Sequence, residues 1–304
     1  FAGTDAVSLM IVRDEPARLS APGSLPVVVC CLGARFGGVG PAGADLVVGD
    51  ADIGQLVESV ERHPQAAVAL ALLLRGSEGV ESDRALALES ATYSMLQQGP
   101  EFLTWRGDSE PTAMTDEQPI IVRRDGDELT IILNRPHRHN AITTALRDEL
   151  HQALALAIID DSIHQVVLRG AGPSFCSGGD LAEFGCRPDT VGAHQTRLAR
   201  SPARLIHRLS DKLTAHVHGA VMGGGIEMAA FSDRVVADPD SRFALPEVEI
   251  GLVPGAGGTV SLPRRIGRQR TTALGVTGRT INATTALEWG LVDEIRPTSP
   301  ADAS

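Results

Sequence analysis

The chain has 304 residues, of which 43% are hydrophobic, so it is long enough to bury a sizeable core in one large domain or two small ones. Its formal net charge of −11 argues against nucleic acid or an anionic membrane as a partner, because such binding needs clustered Lys and Arg. No run of about 18 apolar residues occurs, and the four cysteines form no C-x-x-C pair, so we expect a cytoplasmic protein without a membrane span.

The N-terminal part of the sequence predicts mostly helices. The segment "SLPVVVCCLG" predicts a buried strand, and "DIGQLVESVERHPQAAVALALLLRG" predicts two helices separated near Pro64. A further helix is predicted in "ESDRALALESATYSMLQQGPEFLTW", with an end at Gly99 and Pro100. The polar segment 106–119 follows and carries two prolines, which is typical of a linker. These patterns divide the chain into a mostly helical region, residues 1–115, and a second region, residues 116–304.

Strands and helices alternate after this linker. A hairpin is predicted around Asp125 and Gly126, followed by the helix "ITTALRDELHQALALAIID" and the strand "HQVVLRGAG". The helical stretch "ARLIHRLSD", the strand "LTAHVHGAV", a glycine-rich helix start and the strand "DRVVADPDSRFAL" come next. This alternation is typical of an α/β domain whose sheet is largely parallel.

Two glycine runs stand between a predicted strand and a predicted helix. One is "MGGGIEM", which includes Gly224, and the other is the Gly178-Gly179 pair of "SFCSGGDLAEF". Glycine leaves the backbone N–H groups of a helix start accessible, and the helix dipole favours negative charge there. If the two runs converge on one carbonyl oxygen, they form an oxyanion hole. Taken alone, either run is explained more simply as a tight turn.

Two carboxylates accompany these glycines. Glu227 lies in the first turn after the three glycines, on an otherwise apolar stretch where an acid is costly unless it is used or paired. Glu247 follows a predicted strand and Pro246, where a side chain can point towards a pocket. If this segment is extended, the side chains of Glu247 and Glu249 point to the same side of the strand, so the spacing leaves the two residues as alternatives.

Other motifs have simpler explanations than a site. The "GGVGPAG" segment has dinucleotide-type glycine spacing, but the residues after it look extended rather than helical, which indicates an ordinary loop. His216 and His218 alternate along a strand without a third ligand at metal-binding spacing, so no metal is predicted. Ser177 lacks the G-x-S-x-G frame of a nucleophile, and Cys176 is expected to be packed.

Four motifs in order resemble the crotonase, or enoyl-CoA hydratase/isomerase, superfamily. They are "NRPHRHNAIT", "SFCSGGDLAEF", the run from "HGAVMGGGIEMAAFSD" to "LPRRIG", and "ALEWGLVDEI", and they are collinear over residues 119 to about 296. The resemblance implies a crotonase-like ββα spiral core and an acyl-CoA thioester substrate. It implies no separate cofactor, because coenzyme A is part of the substrate, and it implies a homotrimer or homohexamer.

The resemblance also implies which residues form the site. It places the oxyanion-hole N–H groups at Gly179 and Gly224 and the catalytic carboxylates at Glu227 and Glu247, with Glu247 as the donor of the Cα proton. Hydratases of the family carry both glutamates, so an enoyl-CoA hydratase that adds water across the 2,3 double bond is favoured. The coenzyme A contacts are expected at His137, Arg138, His139, Asn140, Ala141, Ser177, Asp180 and Leu181.

This prediction has two alternatives, and the sequence departs from the family pattern in one respect. The same scaffold supports an enoyl-CoA isomerase or another thioester-enolate enzyme, and a catalytically silent acyl-CoA-binding subunit is the rival of another class. The departure is that residues 51–107 resemble the helices that the family normally carries at its C-terminus. We therefore expect these helices to be displaced to the front, as in a circular permutation; the alternative is an unrelated helical appendage.

Overall fold

The computed structural model describes residues 8–12, 23–107, 118–185 and 189–297. The predicted linker lies mostly outside these residues, at 108–117, and so does Cys186. No helix in the described part of the chain is long and apolar enough to cross a membrane. The described strands, in chain order, are β1 (Leu9–Val12), β2 (Val28–Leu32), β3 (Leu46–Val48), β4 (Ile120–Asp125), β5 (Glu128–Leu133), β6 (Gln165–Gly170), β7 (Leu213–Val217), β8 (Ala220–Met222), β9 (Arg234–Ala237), β10 (Arg242–Ala244), β11 (Ile281–Asn282) and β12 (Glu294–Ile295).

The helices before the linker confirm the predicted helical periodicity and add one helix there, since Gly99 and Pro100 separate two helices instead of ending the last one. Proline occupies the first turn at the start of the second and fourth helices, where its missing N–H needs no partner. The helices are α1 (Ile53–Arg62), α2 (Pro64–Gly76), α3 (Ser82–Leu96), α4 (Pro100–Arg106), α5 (Thr144–Ile159), α6 (Thr190–Ala199), α7 (Pro202–Arg208), α8 (Gly224–Ala229), α9 (Gly258–Ile266), α10 (Arg268–Thr277) and α11 (Ala283–Trp289).

The strands form three sheets. A six-stranded sheet has the order β12-β9-β7-β6-β5-β4, and only the predicted β4–β5 hairpin is antiparallel in it. A small sheet has the order β11-β10-β8, and β8 ends at Met222, directly before the glycine run that starts α8. The third sheet, β1-β2-β3, is parallel and belongs to the N-terminal region, so that region is mostly helical but not wholly so. The "GGVGPAG" segment joins β2 to β3 without a helix, which confirms that it is a loop.

The N-terminal helices pack directly on the second region. Helices α1 and α2 contact α10, and α3 contacts both α6 and α9. The approach is close: a Cβ atom on Gly275 of α10 would lie 2.5 Å from the Leu70 side chain of α2. The buried carboxylate of Asp45, beside β3, pairs with Arg75 of α2 and with Arg268 of α10. Both large hydrophobic clusters therefore contain residues from either side of the predicted linker.

Candidate active site

The two predicted glycine runs lie side by side. A parallel bridge joins Ile142 to Gly179, in which the Ile142 N–H donates to the Gly178 carbonyl and the Asp180 N–H donates to the Ile142 carbonyl. The Gly179 N–H takes no part in this bridge. Gly224 is the first residue of α8, so its N–H has no acceptor within the helix.

Glycine is required beside these donors because of steric contact. Gly223 has φ +47°, and a Cβ atom there would lie 2.3 Å from Oε1 of Glu247. A Cβ atom on Gly224 would lie 2.6 Å from the Ile142 side chain. The backbone of this turn is thus held against the Glu247 carboxylate.

Two adjoining cavities meet at these residues. The carboxylate cavity contains both predicted acids, Glu227 and Glu247, together with Gly179 and Gly224. The loop cavity is formed around residues 137–141. The structure therefore brings together all four residues predicted to do chemistry. The residues that line both cavities are Gly179, Asp180, Phe184 and Glu247.

Glu227 is buried in the first turns of α8 and is 1% exposed. Its Oε2 accepts hydrogen bonds from the backbone N–H of Ala256, at 2.7 Å, and of Gly258, at 2.8 Å, at the start of α9. Burial raises the pKa of Glu227 to about 7, and the backbone N–H donors oppose this rise. The carboxyl group can therefore be charged or neutral near pH 7.

Glu247 begins a short 3₁₀-helix that runs to Ile250, directly after Pro246. Its Oε2 is inaccessible to solvent and has no hydrogen-bond partner among the described residues. Burial raises the pKa of Glu247 well above its ordinary value, and the neighbouring charge of Glu227 adds to the rise. The neutral acid is therefore the favoured form, with one oxygen facing no protein donor.

Glu247 and Glu249 differ in which cavity they line. The segment is not extended but coils into a 3₁₀-helix, so the condition under which Glu247 and Glu249 would point to the same side is not met. Glu249 is exposed and lines only the loop cavity. Of these two acids, Glu247 alone reaches the cavity that also contains Glu227.

A third buried carboxylate, Glu89 of α3, was not among the predicted site residues. It is 2% exposed, and it accepts hydrogen bonds from the Gly257 N–H, at 2.7 Å, and from the N–H and hydroxyl of Thr259, at 2.9 and 2.7 Å. Burial raises the pKa of Glu89 to about 8, and the charge of Glu227 adds to this. Glu89 and Glu227 therefore both accept hydrogen bonds from backbone N–H groups at the N-terminal end of α9.

Tyr93, one turn after Glu89, also belongs to the site. Its ring packs on Gly255, where a Cβ atom would lie 2.5 Å from the ring, and it lines the carboxylate cavity together with Gln97. The "LESATYSMLQQGPEF" pattern that carried the resemblance of α3 was the only sequence signal for these residues. The N-terminal region therefore forms one wall of a cavity whose other walls come from the second region.

The predicted coenzyme A loop is tightly shaped. His139 and Asn140 both have left-handed backbone conformations, with φ of +50° and +56°, which is uncommon for residues other than glycine. The Asn140 side chain is buried and accepts from the Arg135 N–H at 2.7 Å while donating to the carbonyls of Ala171 and Ser174. Asn140 therefore supports the loop and does not line the loop cavity. The other predicted contacts line it: His137, Arg138, His139, Ala141, Ser177, Asp180 and Leu181.

The remaining candidates have structural roles. Cys176 is fully buried, and burial raises the pKa of its thiol to about 12, which disfavours a reactive thiolate. The ring of His218 is bonded to the Gly172 carbonyl at 2.8 Å. No group of three or more potential metal ligands occurs within the residues that the structure describes. The Asp180 carboxylate, another predicted contact, is buried and paired with Arg135 at 3.1 Å.

Comparison with known proteins gives the same assignment as the geometry. The family model described as enoyl-CoA hydratase/isomerase matches residues 128–301. The chain is 35% identical over 178 residues to the enoyl-CoA isomerase/hydratase fer4 of Mycosarcoma maydis, covering 56% of this chain and 65% of that protein. It is 36% identical to the 2,3-dehydroadipyl-CoA hydratase of Escherichia coli K12, covering 59% of this chain and 69% of that protein.

A solved structure extends the comparison to the fold. The crystal structure of an enoyl-CoA hydratase from Bacillus anthracis superposes with a TM-score of 0.55 at 34% identity, over 59% of this chain and 70% of that one. The chain thus spans about two thirds of the length of the proteins that it matches. The predicted crotonase-like α/β fold is confirmed. The chain belongs to the enoyl-CoA hydratase/isomerase, or crotonase, family.

Proposed function

We propose that the protein is an enoyl-CoA hydratase, a lyase that adds water across the 2,3 double bond of an enoyl-CoA thioester. One observation carries the proposal: Glu227 and Glu247 line the same cavity as Gly179 and Gly224, and Oε2 of Glu247 is buried without a partner among the described residues. The names of the relatives, which include hydratases and a combined isomerase/hydratase, support the same class.

The backbone donors would stabilise the enolate. The thioester oxygen would accept hydrogen bonds from the N–H groups of Gly179 and Gly224, and negative charge develops on that oxygen as water adds to the β-carbon. Each donor in such a site contributes about 3 kcal/mol of transition-state stabilisation. Because backbone donors need no side-chain reorganisation, the steric constraint at Gly223 helps to keep them in place.

The two acids would divide the proton transfers. Glu227, with a pKa of about 7, would take a proton from the attacking water as its oxygen bonds to the β-carbon. Glu247, whose raised pKa favours the neutral acid, would deliver its proton to the α-carbon. One proton is taken and one is given, so the product is a neutral 3-hydroxyacyl thioester. The proton of Glu227 then returns to Glu247 through solvent or product.

Coenzyme A would occupy the loop cavity. His137 and Arg138 offer positive or hydrogen-bonding groups for its phosphates, and His139 and Ala141 also line this cavity. Coenzyme A is part of the substrate, so the proposal needs no separate cofactor. In the same proposal, residues 51–107 take the place of the C-terminal helices of the family, and the enzyme is a cytoplasmic homotrimer or homohexamer.

Glutamine substitutions test the proposal. We expect Glu227→Gln and Glu247→Gln each to lower the hydration of crotonyl-CoA at least about 100-fold, as general acid or base groups contribute that much, while acyl-CoA binding persists. Glu61→Gln is the control, because Glu61 is exposed on α1 and lines neither cavity; its hydration rate should stay within about threefold of the wild type. Wild-type rates in both active-site variants would refute the mechanism.

An enoyl-CoA isomerase is the second candidate, and the hydrogen bonds of Glu227 favour it. Two backbone N–H groups hold Oε2 of Glu227, whereas Oε2 of Glu247 faces no donor, so Glu247 alone is suited to move a proton between the α- and γ-carbons. Incubation with trans-3-hexenoyl-CoA distinguishes the two, since an isomerase forms the 2-enoyl isomer without a hydroxyl group. Loss of isomerisation in Glu247→Gln but not in Glu227→Gln would establish this alternative, and no turnover of either substrate would indicate a silent binding subunit.

A further inference from the structure

Three arginine side chains line the carboxylate cavity: Arg147 of α5, Arg197 of α6, and Arg200 just after α6. A plain hydrocarbon acyl chain needs no guanidinium group around it. Arg200 is largely exposed, and both it and Arg147 pair with Asp148. Bringing a guanidinium group partly out of water without a paired acid is costly, so Arg197 calls for a chemical reason.

The acids near the cavity are held by partners other than Arg197. Arg147 and Arg200 share one carboxylate, that of Asp148, at 2.7 and 2.5 Å. Of the acids that line the cavity, Asp180 pairs with Arg135, and Glu183 accepts hydrogen bonds from the N–H and hydroxyl of Thr144, at 2.8 and 2.9 Å. The other two, Glu227 and Glu247, are the proposed catalytic acids, and burial raises the pKa of both.

Arg197 is the arginine without a counter-ion. Its Nε donates to the Ser90 hydroxyl at 3.1 Å, its Nη2 donates to the Ser90 carbonyl and the Ser94 hydroxyl, and its guanidinium lies 4.7 Å from the centre of the Tyr93 ring. No carboxylate within the described ranges comes within ion-pair distance of it. Its Nη1 donates no hydrogen bond there either, so one edge of the group is available to a ligand in the cavity.

Tyr93 contacts both Arg197 and the part of the site that holds Glu227. One contact of the Tyr93 ring is with Gly255, beside the Ala256 N–H that bonds to Glu227, and another is with Arg197. The loop cavity, where coenzyme A is proposed to bind, adjoins the carboxylate cavity at Gly179. Arg197 therefore lines the cavity that an acyl chain would enter from the proposed coenzyme A site.

We propose that the substrate is an enoyl-CoA whose acyl chain ends in a carboxylate, and that Arg197 binds this carboxylate. The inference rests on the proposed function for the direction of the chain, but the charge argument concerns binding alone. The free Nη1 group of Arg197 can donate charge-assisted hydrogen bonds to a carboxylate, and Arg147 adds a second positive charge on the wall of the same cavity. Arg197 is thus a specificity-determining residue of the carboxylate cavity.

The test compares two saturated thioesters of equal chain length, adipoyl-CoA with a terminal carboxylate and hexanoyl-CoA with a terminal methyl group. Calorimetry should show that the wild-type protein binds adipoyl-CoA about 10- to 100-fold more tightly, which is the range for hydrogen bonds to a charged group. In Arg197→Gln, the preference should fall to less than about threefold through weaker binding of adipoyl-CoA only. Equal binding of the two thioesters by the wild type, or an unchanged preference in the variant, would overturn the inference.

Two further variants separate charge recognition from structural damage. Arg204→Gln is the matched control, because Arg204 of α7 also bonds to α3, through Asp83 at 2.6 Å, but does not line the cavity; the preference should remain. Asp148→Asn removes the shared counter-ion of Arg147 and Arg200, so adipoyl-CoA should bind a few-fold more tightly. A loss of preference in Arg204→Gln, or weaker adipoyl-CoA binding in Asp148→Asn, would contradict charge recognition.

These binding measurements test the carboxylate inference separately from the proposed reaction, because saturated thioesters are not turned over. A wild-type protein that hydrates crotonyl-CoA but binds both thioesters equally refutes the carboxylate inference and leaves the hydratase proposal intact. A protein that prefers adipoyl-CoA but hydrates no enoyl-CoA supports the inference and refutes the hydratase proposal.

Discussion

The two regions of the molecule differ in how much a family comparison explains. The region after the linker contains the whole family match, at residues 128–301, and carries both proposed catalytic acids. The region before the linker has no part in that match, yet its helix α3 bonds to the start of α9 and forms a wall of the same cavity. The matched segment therefore contains the residues that are proposed to do the chemistry, but not all of the residues that line the cavity.

Separating the two regions is the strongest way to test this dependence. A protein of residues 116–304 alone should lack acyl-CoA hydration altogether and aggregate, because the apolar faces of α9 and α10 lose the helices that cover them. Residues 1–110, supplied as a second chain, should restore solubility and activity. Activity assays and size-exclusion chromatography measure both outcomes, and a soluble, active 116–304 protein would make the first region a mere appendage.

Removing Glu89, one of the carboxylates that join the two regions, should have the next largest effect. Glu89→Ala leaves the Gly257 N–H and both Thr259 donors without their acceptor, so we expect the free energy of unfolding to fall by about 3 kcal/mol. Glu81→Ala is the control, since Glu81 is an exposed cap of α3 and should cost only about 1 kcal/mol. Urea unfolding compares the two, and equal losses would show that the contact with α9 adds nothing.

The smallest expected effect is on pH dependence. The pKa values of Glu89, about 8, and Glu227, about 7, lie above the ordinary value of 4.5, so the folded protein keeps protons that the unfolded chain releases. Their contribution to stability is complete below about pH 4.5 and is lost as the pH rises towards 8. Between pH 5 and 7, the free energy of unfolding of the wild type should fall more steeply than that of Glu89→Gln, by about 1 kcal/mol per pH unit. Parallel slopes in the two proteins would contradict the raised pKa of Glu89.

Periodicity and resemblance predicted most of the fold and the centre of the site. The alternating strands and helices after the linker and the helices before it follow from local sequence patterns, whereas the pairing of Glu227 with Glu247 was implied by the resemblance. The choice between Glu247 and Glu249 was not decided by spacing, because a 3₁₀ turn after Pro246 changes which side chain faces the cavity.

Tertiary contacts explain what sequence patterns missed. Glu89 sits in a helix whose polar residues are normally solvated, and only its contacts with Gly257 and Thr259 make it a buried partner of Glu227. Asn140 had the residue type of a ligand contact, but its amide instead bonds to Arg135, Ala171 and Ser174. Neither role can be inferred from a residue and its immediate neighbours.

The bond between Glu89 and α9 has a consequence for synthesis on the ribosome. Glu89 precedes the two residues that donate hydrogen bonds to it, Gly257 and Thr259, by 168 and 170 residues. At translation rates of 5–20 residues per second, the nascent helix α3 waits roughly 10–35 s for these partners to be made. During that delay the apolar faces of α2 and α3 have no covering surface, so they are natural targets for chaperones that shield nascent chains.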